Sequence, residues 1–273
     1  MTNNKNDRRT GRTTLYSDQY DAGLIETIAR AEGRESLELG PELPFSGHDL
    51  WNAYELSWLD DGGRPVVATL SVSVPCESPR LIESKSMKLY LASFAMSRFD
   101  SPRVVRSRIV RDLEQAAGLP VEVNLTTAAR KSTGRIRRLP GRCIDYEDIA
   151  QPVYEVDASL LKSGGDTVTE TLHSHVLRSL CPVTGQPDTG SLLVTYDGPR
   201  IDEGALLAYL ISYRQHADFH ELCVERIFRD IREHCGASSL TVYARYNRRG
   251  GIDINPFRSN FEDVAPPLRL WRQ

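Results

Sequence analysis

Of the five cysteines, at positions 76, 143, 181, 223 and 235, Cys181 alone sits in a run of turn residues, CPVTGQPD (181–188). A thiol reacts as its thiolate, and a loop position keeps it accessible to a substrate. Asp188 can return toward the sulfur through the TGQP turn. A carboxylate beside a thiolate is pushed toward its protonated form by charge repulsion, which suits a proton donor and not an activator. Together the two could perform nucleophilic addition with protonation of the product atom. The residues alone leave a plainer reading open, a surface thiol followed by a turn-forming aspartate.

Three further stretches carry chemistry-bearing residues. In HADFHELCVERIF (216–228), His216 and His220 are four apart, a spacing that can turn two imidazoles to one helical face. The order is H-x-x-x-H-E, however, and not the H-E-x-x-H of zinc proteases. Adding His173 and His175 makes a four-histidine zinc site conceivable. Histidines without a third fixed ligand are ordinarily structural, so no metal is expected. His220 shares a stripe with Val224 and Ile227, so it is predicted to point inward and to need a partner. Glu221 falls in the first helical turn, where the dipole favours a carboxylate.

In LIESKSMKLYL (81–91), Glu83, Ser84 and Lys85 open a helix whose apolar face is Met87, Tyr90, Leu91 and Phe94. Free backbone N–H groups with a lysine could hold a phosphate there. Capping by Ser84 is the simpler alternative. Near the end, YARYNRRGGIDINP (243–256) places Arg248 and Arg249 before a Gly-Gly turn. Arginines grip phosphate bidentately, but exposed basic turns are more often merely solvated. No G-x-G-x-x-G follows a strand and no Walker A sequence occurs.

Elements that could bring these stretches together emerge from an internal repeat. RIVRDLEQAAG (108–118) recurs as RIFRDIREHCG (226–236), an offset of 226 − 108 = 118 residues. Val105, Ile109, Leu113 and Ala117 match Cys223, Ile227, Ile231 and Cys235, the buried stripe of an amphipathic helix. This makes Cys223 and Cys235 inert core thiols. Gly118 and Gly236 stand where left-handed caps belong. Upstream, PRLIESKSMKLYLASF (79–94) parallels PRIDEGALLAYLISY (199–213). Each half reads strand–strand–helix–helix–strand, an α+β unit with an antiparallel sheet and helices on one face.

The copies disagree usefully. Lys85, Ser86 and Lys88 oppose Ala205, Leu206 and Ala208, while His220 and Glu221 oppose Pro102 and Arg103. Two specialised halves point to one composite site between them. The expected layout is a flexible tail at 1–20, a first module at 21–128, a linker at 129–155 and a second module at 156–273.

Bulk properties narrow the class. Across 273 residues, 26% charged and with a net charge of −3, the chain resembles an ordinary soluble protein and not a dedicated nucleic-acid binder. The basic loop ARKSTGRIRRLPGR (129–142) reads as a linker, with RNA contact a minority alternative. No apolar run is long enough to span a membrane, and the polar N-terminus is no secretory signal. Scattered cysteines, odd in number and without a C-x-x-C pair, suggest a reducing cytoplasm.

Taken in order, ESKSMKLYL, CPVTGQPD, FHE and YARYNRRGGIDINPFRS resemble the landmarks of the NADPH-dependent 7-cyano-7-deazaguanine reductases, in their long two-module form. The resemblance covers nearly the whole chain. It implies tandem tunnelling-fold modules, a homodimer, a small-molecule deazaguanine substrate, NADPH as co-substrate and a role in queuosine synthesis. It also implies roles: Cys181 as the nucleophile forming a thioimide, and Asp188 as proton donor. Ile82, Glu83, Ser84, His220 and Glu221 would bind the base, while Ser84, Lys85, Arg249 and Gly250 would contact NADPH.

Overall fold

Alternation of apolar and polar residues over long stretches dictates a sheet, and the repeated stripes supply the helices that cover it. The computed structural model describes residues 16–128 and 135–273. The first part of the basic loop and most of the expected tail therefore lie outside the described residues. In the first half the order is β1 (Thr27–Ala29), α1 (Arg30–Ser36), β2 (Ser46–Leu59), β3 (Pro65–Pro75), β4 (Arg80–Ile82), α2 (Ser84–Ala92), α3 (Pro102–Ala117) and β5 (Glu122–Thr127). The second half follows with β6 (Arg142–Cys143), β7 (Ser163–Ser174), β8 (Arg178–Leu180), β9 (Pro187–Ile201), α4 (Glu203–Ser212), α5 (His220–Cys235), β10 (Ser239–Tyr246) and β11 (Ile252–Ser259). The α+β class read from the sequence is what forms.

Both halves contribute to one nine-stranded sheet, ordered β5-β3-β2-β11-β10-β9-β7-β6, with β8 attached to β9. All its pairings are antiparallel except β6 with β7. The halves meet where β2 pairs with β11, in register from Ser46↔Ser259 to Ala53↔Ile252. Along β2 the inward side chains alternate strictly through Asp49, Trp51 and Ala53. A bulge at Tyr54–Glu55 then shifts the register, so that Leu56 and Trp58 still face the core.

The two long helices keep the 118-residue offset along their whole length. α3 and α5 are each 16 residues, and Gly118 and Gly236 end them at φ 86° and 68°. Only glycine adopts that left-handed geometry freely. The structure also explains the repeated Arg-Asp pair. Buried Asp112 accepts a hydrogen bond from the Tyr90 hydroxyl at 2.9 Å, and buried Asp230 accepts one from Tyr209 at 2.6 Å. Arg111 and Arg229 flank these carboxylates at 2.9 and 2.6 Å. Each half thus closes its helical layer on an Asp–Tyr bond inside an otherwise apolar core.

Two expected boundaries fall inside packed chain. Tyr20, at the end of the expected tail, packs edge-on against Phe94 and donates its hydroxyl to Asp112. In the expected linker, Leu139 and Ile144 are buried, and the Ile144 N–H bonds the His173 carbonyl at 3.0 Å. Leu139 and Ile144 thereby anchor this segment to the second half.

Across the seam runs a buried ionic chain. Arg34 of α1 forks onto Glu225 of α5 at 2.7 and 2.8 Å. Arg258 of β11 reaches both Glu225 and Asp49, each at 2.8 Å, and Arg30 closes the chain on Asp49. Burial alone would raise Asp49, but Arg258 and Arg30 hold it below the ordinary carboxylate range. Among the described residues, no helix is long and apolar enough to cross a membrane.

Candidate active site

Cys181 opens the turn of one hairpin and Asp188 lies on its returning strand. β8 pairs with the start of β9, Leu180↔Pro187 and Ser179↔Asp188, and residues 181–186 form the connection. Pro182 follows the cysteine because its fixed φ starts the turn without offering an N–H that needs a partner. The Gly185 N–H then bonds the Cys181 carbonyl at 2.8 Å, and the Cys181 N–H bonds the Gln186 carbonyl at 2.9 Å. Seven positions of separation in sequence become adjacency in space.

The turn hides its thiol more than a polar loop suggests: Cys181 is only 9% exposed. Burial pushes its thiol up, yet the Thr184 hydroxyl, the N–H groups of Thr184 and Val183, and Arg249 together bring it below the ordinary thiol range. The other thiols go the opposite way. Burial raises Cys76 to about 12 and Cys235 to about 11, and raises Cys223 as well. Because the thiolate is the nucleophile, alkylation speeds up as pH rises through the thiol pKa. The midpoint of the iodoacetamide rate at Cys181 should fall below the ~8.5 of a free thiol. Peptide mass spectrometry would read it, and a midpoint above that value would remove the turn as an activating device.

Cys181 lines a cleft with Ile82, Glu83, Ser84, Asp188, His220, Glu221 and Arg249, so both halves contribute to its walls. Asp188 is 8% exposed, pairs with Arg249 at 2.7 Å and faces the His220 Nε2 at 3.2 Å. That contact is the partner the inward histidine required. His220 is fixed further by stacking on Tyr246, with centroids 3.8 Å apart and planes 8° from parallel.

Glu221 departs from the dipole expectation. Its carboxyl is 3% exposed, and burial, then the neighbouring Asp49, push it up to about 8 against the pull of Arg30 and Arg258. Desolvation outweighs the helix terminus. Glu83, and not Ser84, caps α2: its two oxygens accept from the N–H groups of Lys85 at 2.9 Å and Ser86 at 2.7 Å. The helix terminus offered above to a phosphate is therefore occupied by the protein's own carboxylate.

The cationic residues divide differently from the sequence reading. Lys85 is exposed and does not line the cleft, whereas Arg249 does. Lys88 is a further cation, packed beside Gly250. It is half-buried, and burial with help from Arg249 lowers its ammonium against the pull of Glu83, Asp188 and Cys181. The signal was present, since Lys88 differs from Ala208 of the other copy. Gly250 and Gly251 form the expected turn at φ 59° and 77°, and a side chain at Gly250 would meet Lys88 Cδ at 3.2 Å. Arg248 lies 4.0 Å over the Tyr54 ring. A side-chain-free turn beside Arg248, Arg249 and Lys88 fits the phosphates of a dinucleotide, with Lys85 outside the cleft.

The four histidines do not converge. α5 begins at His220, and His216 lies before it in extended chain tied to β8 through the Leu180 N–H at 2.8 Å. The two imidazoles therefore share no helical face. Of the described part of the basic loop, Leu139 is buried and the Arg137 N–H bonds the Arg269 carbonyl at 2.8 Å, while the other residues of 135–142 are exposed.

Comparison with known proteins places this geometry. A family described as "Nitrile reductase, 7-cyano-7-deazaguanine-reductase N-term" matches residues 16–125, and one described as "QueF-like protein" matches residues 187–264. A protein of Bordetella pertussis named NADPH-dependent 7-cyano-7-deazaguanine reductase is 54% identical over 265 residues, covering 96% of this chain and 97% of its own. A protein of the same name from Paraburkholderia phymatum is 51% identical over 266 residues, with 96% and 97% covered. Another, from Burkholderia vietnamiensis, is 51% identical over 258 residues, with 94% of each chain covered. With identity this high sustained from end to end, the chain belongs to the 7-cyano-7-deazaguanine nitrile reductase family.

Proposed function

We propose that this chain reduces the nitrile of 7-cyano-7-deazaguanine to the aminomethyl group with two molecules of NADPH, through a thioimide on Cys181. The observation that carries the proposal is the thiol whose turn lowers its pKa, set in a cleft beside Asp188, His220 and two glutamates. The overall balance is R–C≡N + 2 NADPH + 2 H⁺ → R–CH₂–NH₂ + 2 NADP⁺.

The Cys181 thiolate forms a bond to the nitrile carbon, and Asp188 delivers a proton to the nitrogen, giving R–C(=NH)–S–Cys181. Addition makes a weakly electrophilic carbon a better hydride acceptor. NADPH supplies the hydrides, two electrons each. After the first reduction the C–S bond breaks, Cys181 leaves as thiolate, and the imine is set for the second. Glu83 and Glu221 accept the N–H edge of the guanine-like ring, with Ile82 and Ser84 against it and His220 orienting Asp188. A site built on those acceptors rejects bases lacking the N–H groups by several powers of ten. Lys88, Arg249 and the Gly250 turn would hold the cofactor phosphates, with Ser84 and Lys85 as the further contacts carried by the resemblance. Arg249 must then let go of Asp188 before the proton moves.

The same reading takes 21–128 and 156–273 as two tunnelling-fold modules joined by 129–155, working as a homodimer in the cytoplasm, in queuosine synthesis. In its favour are the shared element order of the halves and the edge position of β5. The helix-free sheet face lined by Thr69, Ser71, Ser73 and Asn124 also suits a second copy.

The test mixes protein, NADPH and the cyano base, following absorbance and product mass. Two NADPH consumed per aminomethyl product is expected; no turnover would sink the proposal. Asp188→Asn should slow adduct formation on Cys181 by about 10²–10⁴-fold, the usual contribution of a positioned acid. An unchanged rate of mass gain would reassign the proton donor.

A further inference from the structure

Outside the cleft, one cluster of ligating side chains stands apart. The two-residue strand β6 pairs in parallel with β7, setting Cys143 opposite His173. His175 lies just past the end of β7, its ring centroid 5.4 Å from that of His173. One donor atom from each of Cys143, His173 and His175 lies within 4.8 Å of the others. None of the three lines the cleft.

The two rings are held in a way that prepares them for a ligand. His173 Nδ1 is 2.8 Å from the Pro140 carbonyl, and His175 Nδ1 is 2.7 Å from the Ser191 hydroxyl. Metal-binding imidazoles characteristically tie their second nitrogen to such a carbonyl or polar oxygen, which fixes both tautomer and ring plane. Here that leaves each Nε2 as the remaining donor. His173 is 9% exposed, so its orientation is set by packing as well.

Neighbouring charges are mixed. Asp145 sits beside the cluster, accepting from the Ser174 hydroxyl at 2.7 Å and the His175 N–H at 3.0 Å. Arg272 approaches from the other side, on the His175 and Gly190 carbonyls at 2.9 Å each.

We propose that Cys143, His173 and His175 bind one zinc-class divalent cation, clipping the segment between the two halves onto β7. One thiolate and two imidazoles suit zinc or cobalt and disfavour magnesium and calcium, which take oxygen ligands. Bond lengths of about 2.0–2.3 Å call for donor separations of roughly 3.3–3.8 Å, so the side chains need draw together by at most about 1.5 Å. Water completes the fourth position. Cys143 loses its proton on binding, and the metal stabilises only the folded chain, in which the three donors meet. The clip is structural and independent of the nitrile chemistry.

The test uses the full chain, stripped with chelator and titrated with Co²⁺. One equivalent should bind, giving an intense near-ultraviolet thiolate-to-cobalt band that Zn²⁺ abolishes. Cys143→Ser should lose the band, Cys181→Ser should keep it, and His173→Gln or His175→Gln should weaken binding by about tenfold or more. A band that survives Cys143→Ser, or disappears with Cys181→Ser, overturns the site, as does failure to bind cobalt stoichiometrically. If the variants misfold, the unaltered chain still decides. One equivalent of zinc should shield Cys143 but not Cys181 from iodoacetamide, and equal labelling of Cys143 with and without zinc counts against the proposal.

Discussion

Replacing Cys181 by alanine is expected to lower turnover of the cyano base by on the order of 10⁴-fold or more, since loss of a covalent nucleophile removes the whole route that depends on it. Folding should be little affected, because the side chain lies at a cleft wall and the turn is held by backbone bonds. Serine should rescue almost nothing: a hydroxyl is far too weak an acid for the turn's N–H groups to bring its anion within reach of neutral pH. The adduct gives a second readout. Intact mass with the cyano base and no reductant should show one added ligand on the unaltered chain and none on Cys181→Ala. Appreciable turnover by the alanine protein would end the covalent scheme.

The largest expected loss of stability comes from Glu225→Ala. Glu225 is fully buried and accepts from both Arg34 and Arg258, which approach from opposite halves. Removing it leaves two buried guanidinium groups short of a counter-charge, with only Asp49 nearby to serve Arg258. Breaking one partner of a buried ionic network typically costs about 3–5 kcal/mol, because the remaining charge stays desolvated. Urea unfolding should register the loss as a lower midpoint at an unchanged slope. A cost under about 1 kcal/mol would mean the halves are joined by the β2–β11 register and apolar packing alone. Activity should fall too, since Arg30, Arg258 and Asp49 also set the charge environment of Glu221.

What the sequence revealed follows from how local each signal is. Periodicity at four residues and a constant 118-residue offset are local, so the buried stripes of α3 and α5 and their glycine caps were legible. The hairpin that joins Cys181 to Asp188 was legible because its turn residues are contiguous. The fusion of both halves into one sheet was not, since the β2–β11 pairing joins residues some two hundred positions apart. The same distance hid the Arg34–Glu225–Arg258–Asp49 chain, whose members look like surface charges in sequence. Lys85 and Lys88 stand in the same motif, and telling which is exposed and which half-buried requires knowing which face of α2 packs inward. His216 misled in the reverse direction. Its spacing from His220 presumed a helix that begins only at His220.

The seam also decides what each half brings to the cleft. Asp202 caps α4 by accepting from the Ala205 N–H at 2.8 Å, as Glu83 caps α2, yet the first-half hairpin that corresponds to the Cys181 turn in sequence carries Asp60 and Asp61 instead of a thiol. The cleft takes its thiol from the second half alone and Glu83 and Ser84 from the first. Neither half could then be inherited or exchanged on its own: a mutation in the seam strands both contributions at once, so selection acts on the pair as a single hereditary unit.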